Sequence, residues 1–339
     1  MKSWVPEDGD AFATRENFIF NVFGYEHPKG RVFAFLKYIP AQLRHLFRIG
    51  YLENTWKHRK QEVFRAERLY TAENYKIFLE TFKSHFPNYV YCCPLRGKEI
   101  ISAPLDSIRE LYVPKECLGR LARLKTKDAL QEAALALIQL LSRKSQIDIK
   151  DFGIHGSLAL DMHTSKSDID LVVYGAQNFR RLEATIDRLV KAETLNYVCK
   201  NRIDTARHHK GKYEDKLFMY SAIRKPEEIN LKYGTHRYLP IAQVKFHCKV
   251  KDDTEAVFRP AIYKIADYEP ADEASALDEE RIPDLVISMI GCYRNVARRG
   301  GRIRVSGMLE RVEDLETGQN FHQIVVGTGT NEEEYIWPL

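Results

Sequence analysis

The sequence predicts a mixed α+β protein in three parts. Its 339 residues are enough for about two domains with a small added module. Apolar residues make up 44% of the chain and charged residues 29%, an ordinary composition for a globular protein with a packed core. The hydrophobic periodicity changes twice along the chain. We therefore expect a basic α+β domain over residues 1–145, a central α+β core over 146–270, and a linker helix with a small β-barrel-like module over 271–339.

Hairpins and amphipathic helices are the predicted elements of the first part. Apolar runs on either side of Gly- and Pro-containing turns predict two hairpins. Apolar residues at helical spacing predict two helices. The hairpins pair 18–23 with 31–38 and 89–93 with 99–102, and the helices cover 72–85 and 127–143.

Basic residues are unevenly distributed. The net charge of the chain is +5, and the surplus lies in residues 1–145. Residues 56–70 interleave Arg and Lys with Trp, Phe and Tyr, a mixture that can bind phosphates and stack bases. The same pattern also fits a helix with an aromatic stripe facing the core and a solvated basic face. A second basic cluster, with the same two interpretations, comprises Arg294, Arg298, Arg299, Arg302 and Arg304.

The segment 152–175 carries the pattern with chemical meaning. A short strand ends in a turn at Gly156-Ser157, where glycine permits close backbone approach and a helix N-terminus offers N–H groups to phosphate. Asp168 and Asp170 begin an apolar strand, and because side chains alternate along a strand both carboxylates share one face. Two close carboxylates repel each other unless a cation lies between them, and Mg²⁺ binds such groups together with substrate phosphates.

This arrangement resembles the polymerase-β-like nucleotidyltransferase superfamily. The resemblance rests on the Gly156-Ser157 turn, the ten residues that follow it, and the apolar frame around Asp168 and Asp170. The whole chain also resembles a family of archaeal predicted nucleotidyltransferases. The resemblance implies that Asp168 and Asp170 hold Mg²⁺ (Mn²⁺ as a substitute) and that Gly156 and Ser157 bind a nucleoside triphosphate. An acceptor hydroxyl would then attack the α-phosphorus and release pyrophosphate.

One departure from the family pattern concerns the third carboxylate, which the superfamily places on the next strand. The candidate strand, 216–223, carries Met219, Tyr220 and Ser221 where an acid is expected. We expect Asp253, at the end of a further strand over 241–250, to supply the missing carboxylate. Four other acids stay open as candidates: Asp204, Glu214, Asp252 and Glu255.

Two cationic side chains are further candidates for nucleotide binding. Lys166 lies in the connection to the Asp pair, and Arg224 follows the strand over 216–223. Both could contact a triphosphate. A solvated loop lysine and a charged strand exit are the alternative interpretations.

Several classes of protein are disfavoured. No apolar run reaches the roughly 20 residues that span a bilayer, and the N-terminus lacks the apolar region of a secretory signal, so we expect a cytoplasmic protein without a membrane partner. The six cysteines contain no Cys-x-x-Cys pair, which argues against a zinc ribbon.

The function predicted from the sequence is Mg²⁺-dependent transfer of a nucleoside monophosphate from a nucleoside triphosphate to an unidentified hydroxyl. An RNA end is the leading acceptor, because a basic N-terminal part and a small barrel both suit a polyanion. A non-catalytic nucleotide- or RNA-binding protein on a degenerate transferase core is the alternative that the missing acid favours. A subunit of a larger assembly is the third. The oligomeric state stays open.

Overall fold

The computed structural model describes residues 4–230, 232–329 and 333–339. It has an N-terminal sheet region, a central sheet flanked by helices, and a C-terminal barrel. Each region has a cluster of buried apolar side chains, and the central cluster also takes in residues from the N-terminal sheet. Within the described ranges, no helix is both long and apolar enough to cross a membrane.

The N-terminal region confirms both predicted hairpins and the helix over 72–85. The hairpins pair Ile19–Val22 with Arg31–Pro40 and Val90–Cys93 with Lys98–Pro104. Its elements are β1 (Ala11–Thr14), β2 (Ile19–Val22), β3 (Arg31–Pro40), β4 (Trp56–His58), β5 (Gln61–Phe64), α1 (Ala72–His85), β6 (Val90–Cys93), β7 (Lys98–Pro104) and β8 (Ile108–Tyr112). The strand order is β4-β5-β3-β2-β1-β8, and β7 also pairs with β3.

Residues 56–64 form a hairpin, so the helical interpretation of that stretch is wrong. Strands β4 and β5 pair antiparallel around a turn at Arg59 and Lys60, whose φ angles are 47° and 70°. Trp56 lies edge-on to Tyr38 and packs against the central core. Its aromatic ring therefore faces inward, while Lys57 and Lys60 face solvent.

Two helices join the N-terminal region to the central sheet: α2 (Pro114–Arg123) and α3 (Ala129–Ser145). Asp128 caps α3 by accepting hydrogen bonds from the N–H groups of Leu130 and Gln131. The apolar stripe of α3 belongs to the same buried cluster as the central sheet. Helix α3, predicted to belong to the first domain, therefore packs with the core.

The elements of the central sheet and its helices are β9 (Phe152–Ile154), α4 (Gly156–Ala159), β10 (Ile169–Tyr174), α5 (Ala176–Lys191), β11 (Asn196–Tyr197), α6 (Arg202–Arg207), β12 (Lys210–Tyr213) and β13 (Lys216–Ile223). The strand order is β11-β12-β13-β10-β9. Strand β10 is parallel to β13 and antiparallel to β9. The register places Asp170 beside Met219, and Met219 beside Lys210.

The barrel begins earlier than predicted. Its strands are β14 (His236–Asp252), β15 (Ala261–Pro270), β16 (Leu285–Ser288), β17 (Arg302–Asp314), β18 (Asn320–Val326) and β19 (Tyr335–Pro338). The order β14-β15-β16-β18-β17 closes through pairing of β14 with β17, and β19 adds to β17. The prediction of a core strand over 241–250 is wrong, because that segment pairs with β15 and β17.

The predicted linker helix is also wrong. Residues 271–284 contain short 3₁₀ turns at Glu273–Ser275 and Glu279–Arg281 and then lead into β16. Alanine and glutamate favour a helix, but Pro270 and Pro283 bracket a segment too short to stabilise one. The segment instead connects two neighbouring strands of the barrel.

Candidate functional site

The turn after β9 brings the backbone of Gly156 against the carboxylate of Asp170. Gly156 has a φ of 64°, a left-handed conformation that favours glycine. A Cβ at this position would lie 1.9 Å from Asp170 Oδ2. The His155 N–H donates to the Asp170 carbonyl at 2.8 Å, which fixes the turn against β10. The structure therefore places the Gly156-Ser157 turn directly against the second aspartate.

Asp170 lines the cavity described below and Asp168 does not, although Asp168 is near enough to act electrostatically on Asp170; the fully buried Ile169 separates them. Burial raises the pKa of Asp170, Lys37 and Arg65 act in the opposite direction, and the neighbouring Asp168 adds to the rise. Asp168 precedes β10 and is the more exposed of the two. Each carboxylate therefore favours a nearby cation.

No acid occupies the strand position beside Asp170. The register runs from Asp170 on β10 to Met219 on β13 and on to Lys210 on β12. Side chains at paired positions of neighbouring strands point to the same face of the sheet. A thioether and an ammonium group thus stand where the family pattern has a carboxylate.

Asp253, the expected third carboxylate, lies elsewhere. Its Oδ2 accepts a hydrogen bond from Arg180 Nη2 at 2.6 Å, and its Oδ1 accepts one from the N–H of Arg299 at 3.3 Å. Of the other open candidates, Asp252 is bonded to Thr254, Glu255 pairs with Arg224, and Glu214 is exposed in a turn. Asp204 alone among these five acids lines the cavity that Asp170 faces, and Lys210 Nζ lies 3.3 Å from its Oδ1.

Lys166 and Arg224 are not brought to Asp170. Lys166 is exposed in the loop before β10. Arg224 is 1% exposed and bonds to Glu255 Oε2 at 2.6 Å, with its guanidinium over the rings of Tyr25 and Phe258. Neither residue lines the cavity in front of Asp170. Lys166 is thus placed as a solvated loop lysine, and Arg224 as a charged residue at the exit of β13 that is buried and paired with Glu255.

A cavity of about 1190 Å³ lies where the three regions meet. His155, Asp170 and Met219 of the central sheet line it, together with residues of the N-terminal sheet and the barrel. Its cationic side chains come from all three regions: Lys37, Arg65, Arg96, Lys98, Arg207, Lys210, Arg259 and Arg294. The cavity is large enough for a nucleotide and a second small ligand.

Lys37 is a functional candidate that sequence reasoning missed, and Arg65 was considered only as part of the basic stretch 56–70. Both act electrostatically on Asp170 and line the same cavity. Burial lowers the pKa of Lys37 to about 8, so its ammonium group is mainly charged at pH 7. A lone lysine inside the apolar run of β3 was a signal in the sequence, since an unpaired charge in a buried strand is costly.

The carboxylate pair fits a magnesium ion that substrate helps to hold. Mg²⁺ binds one or two protein carboxylates and completes its shell with phosphates and water. Because Gly156 has no Cβ, Asp170 Oδ2 can occupy the space that a side chain there would fill. In the part of the chain that the structure describes, no group of three or more His, Cys, Asp or Glu is placed to hold a metal. The donor set therefore suits an ion bound together with a triphosphate better than one held by protein alone.

Comparison with known proteins agrees with the motif. Residues 136–233 match the family described as "Nucleotidyltransferase domain". The chain is 27% identical to "Uncharacterized protein MJ1086" of Methanocaldococcus jannaschii, over 96% of this chain and 97% of that protein. No solved structure matches the chain. The chain therefore contains a nucleotidyltransferase domain of the polymerase-β-like type and is homologous, along nearly its whole length, to this archaeal protein.

Proposed function

We propose that this protein transfers a nucleoside monophosphate from a nucleoside triphosphate to an acceptor hydroxyl, with Mg²⁺ as the metal and Mn²⁺ as a substitute. The observation that carries the proposal is the placement of Asp170. Its carboxylate contacts the Gly156 turn and faces a cavity with cationic side chains from three regions, of which only Arg96, Lys210 and Arg259 pair with carboxylates at ion-pair distance in the described residues. A polyanionic triphosphate and a divalent cation together match that distribution of charge.

Asp168 and Asp170 are the residues that would hold the metal. A bound Mg²⁺ would supply charge neutralisation at the α-phosphate and a fixed geometry for in-line displacement. Asp170 is held by β10 and by the His155 N–H bond to its carbonyl, so its position is set by the backbone. Asp168, at the more exposed end, has more freedom to adjust as the nucleotide enters.

Gly156 and Ser157 are proposed to bind the triphosphate at the β9 edge of the sheet. Glycine lets the backbone approach a phosphate as closely as it approaches Asp170. Lys37 and Arg65 face Asp170 from the N-terminal region. We assign to these two side chains the role that Lys166 and Arg224 cannot fill from their positions.

The reaction breaks one P–O bond and forms another. The acceptor oxygen bonds to the α-phosphorus, the bond to the bridging oxygen of the β-phosphate breaks, and pyrophosphate leaves with that electron pair. The hydroxyl proton passes to water in the cavity. Lys37 and Arg65 would stabilise the negative charge that accumulates on the departing pyrophosphate.

A second candidate function is nucleotide binding without transfer. Met219 favours it, because a thioether beside Asp170 can neither bind Mg²⁺ well nor accept a proton. Under this alternative the protein binds a nucleoside triphosphate with Mg²⁺ and releases it unchanged.

The test is transfer of label from α-labelled ATP, CTP, GTP and UTP into RNA, protein and small molecules of the host. Reactions contain Mg²⁺ or Mn²⁺, and a chelator serves as the negative control. Label in one fraction that disappears with chelator and in Asp170→Asn supports the proposal, with an RNA 3′ end as the first acceptor to examine. Tight Mg²⁺-dependent nucleotide binding without label in any fraction would instead support the binding protein.

A further inference from the structure

Three side chains form a second group of cationic and polar residues in the cavity, here called the Arg207 cluster: Arg207, His209 and Arg294. Arg207 is 6% exposed and lies at the end of α6. Within the described residues its guanidinium has no carboxylate at ion-pair distance, and its Nε has no hydrogen-bond partner. Its Nη1 lies 3.3 Å from His209 Nε2, while the buried Nδ1 of His209 also lacks a partner.

Arg294 faces this pair from the barrel. Its Nε donates to the carbonyl of Gly291 at 3.3 Å. Burial and the charge of Arg294 lower the pKa of Arg207, while Asp204 acts in the opposite direction from beyond ion-pair distance. Asp8 acts on Arg294 in the same way. Two guanidinium groups that share a cavity without a bonded carboxylate are costly, and an anionic ligand offsets that cost.

The charges of the cluster suit a phosphate. Burial lowers the pKa of Arg207 to about 10, so it stays protonated at neutral pH. Burial and Arg207 together lower the pKa of His209 to about 2, so its ring is neutral and can serve as a hydrogen-bond partner. Two fixed positive charges with forked N–H donors match a phosphate group in charge and geometry.

The Arg207 cluster and the Gly156-Ser157 turn lie on opposite sides of Asp170 along the central sheet. In the order β11-β12-β13-β10-β9, the Gly156-Ser157 turn follows β9 at one edge and Asp170 lies on β10. His209 directly precedes β12, two strands beyond β10 in the other direction. In an in-line displacement the attacking and leaving groups occupy opposite sides of the phosphorus. If the triphosphate lies at the β9 side, the acceptor enters from the side of the Arg207 cluster.

We propose that the Arg207 cluster is an anion subsite for the acceptor, which therefore carries a phosphate group close to its attacking hydroxyl. This inference rests on the proposed function for the direction of transfer. The phosphate is supplied either by the last phosphodiester of an RNA 3′ end or by a small phosphorylated alcohol or sugar. An uncharged alcohol or an acceptor without a nearby phosphate is excluded.

The first experiment measures binding without turnover. Inorganic phosphate and each Mg²⁺–nucleoside triphosphate are titrated by calorimetry into the full chain and four variants. Arg207→Gln and Arg294→Gln should each weaken phosphate binding about tenfold and leave nucleotide affinity within about twofold, as loss of a charge-assisted hydrogen bond requires. Lys37→Met should instead weaken nucleotide binding about tenfold and leave phosphate affinity within about twofold. The matched control Arg299→Gln, an exposed residue five positions after Arg294, should behave as wild type.

Phosphate binding that survives both Arg207→Gln and Arg294→Gln would overturn the subsite. Equal loss of phosphate and nucleotide affinity in Arg207→Gln, Arg294→Gln and Lys37→Met would also overturn it, because a single shared binding site would explain that result. Thermal melting of each variant shows whether the fold is kept. Failure of the proposed function would look different, because wild type would then transfer no label while its phosphate binding stayed sensitive to Arg207.

The second experiment distinguishes the sources of the phosphate. Labelled transfer is measured into purified small RNAs with free 3′ hydroxyls, and into low-molecular-mass extract before and after alkaline phosphatase. Transfer of label to RNA would identify the last phosphodiester of the RNA as the source of the phosphate. Labelling of the extract that phosphatase abolishes would identify a small phosphorylated compound as that source. In either case Arg207→Gln should raise the KM for the acceptor about tenfold with little change in the KM for the nucleotide. Transfer only to phosphatase-resistant small molecules would contradict the proposal.

Discussion

The floor and the walls of the cavity are built differently. The floor is Asp170 together with Gly156, which lies directly against its carboxylate; both come from one short stretch of chain, and the His155 N–H bond to the Asp170 carbonyl holds them together. The walls combine Lys37 and Arg65 from the N-terminal region with Arg294 from the barrel. Changes on the floor should therefore affect the chemical step, whereas changes on the walls should affect binding or the way the regions are held together.

Asp170→Asn should have the largest effect. The substitution keeps the size of the side chain but removes a carboxylate that would hold Mg²⁺, so we expect kcat to fall by at least about a thousandfold. Single-turnover transfer from the preferred labelled nucleotide is the measurement. The fold should persist, because burial already penalises the charged form of Asp170.

Asp253→Asn is the matched control. It also neutralises one carboxylate, but Asp253 bonds to Arg180 and Arg299 and does not line the cavity. Its transfer rate should stay within about threefold of wild type. If Asp253→Asn abolished transfer and Asp170→Asn did not, the assignment of the floor would be wrong.

Gly156→Ala should come next in size. The added Cβ would collide with Asp170 Oδ2 and must displace the carboxylate or the turn, so we expect kcat to drop by about a hundredfold. Gly318→Ala is the control, because Gly318 also has a positive φ, 71°, and a methyl group added there would meet no described atom within 4 Å. Both variants should lose about 1 kcal/mol of unfolding free energy from backbone strain. Equal transfer rates in the two variants would show that contact with Asp170 is unimportant.

The floor was predictable because its constraints are local. Strand alternation predicts that Asp168 and Asp170 share one face, and the glycine turn follows from the end of β9. The absence of an acid beside Asp170 was also visible in the sequence. The apolar residues of the two parallel strands restrict their register, and this register places Met219 next to Asp170. The element bounds of α1 and β13 agree with the residues predicted for them.

The walls could not be predicted in the same way. Strand β14 alternates like a core strand, and its pairing with β15 and β17 assigns it to the barrel. The positions of Arg65 and Arg294 depend on how three regions pack, which a local pattern does not encode. Asp253 shows the same limit, because its partner Arg180 lies 73 positions away in the sequence.

Lys37→Met tests the wall nearest Asp170. Methionine keeps the apolar part of the side chain in β3 but removes the charge, so the KM for the nucleotide should rise about tenfold or more while kcat changes less. Lys57→Met, at an exposed position of β4, is the control and should resemble wild type. Initial rates over a range of nucleotide concentrations give both constants. A fall in kcat at unchanged KM would mean that Lys37 acts on the chemical step, as Asp170 does, and not on nucleotide binding.

Arg180→Ala should have the smallest effect, on stability. Arg180 on α5 bonds to Asp253 Oδ2 and to Asn295 Oδ1, both at 2.6 Å, and so ties the central sheet to the barrel that carries Arg294. Because its side chain is 30% exposed, solvent screening limits the loss to about 1 kcal/mol, or about 2–4 °C in Tm. Calorimetric melting beside Arg311→Ala, an exposed arginine of β17, measures the difference. A lowered Tm with phosphate affinity unchanged would mean that the barrel is held in place by more than this contact, whereas loss of both would make Arg180 the residue that positions Arg294.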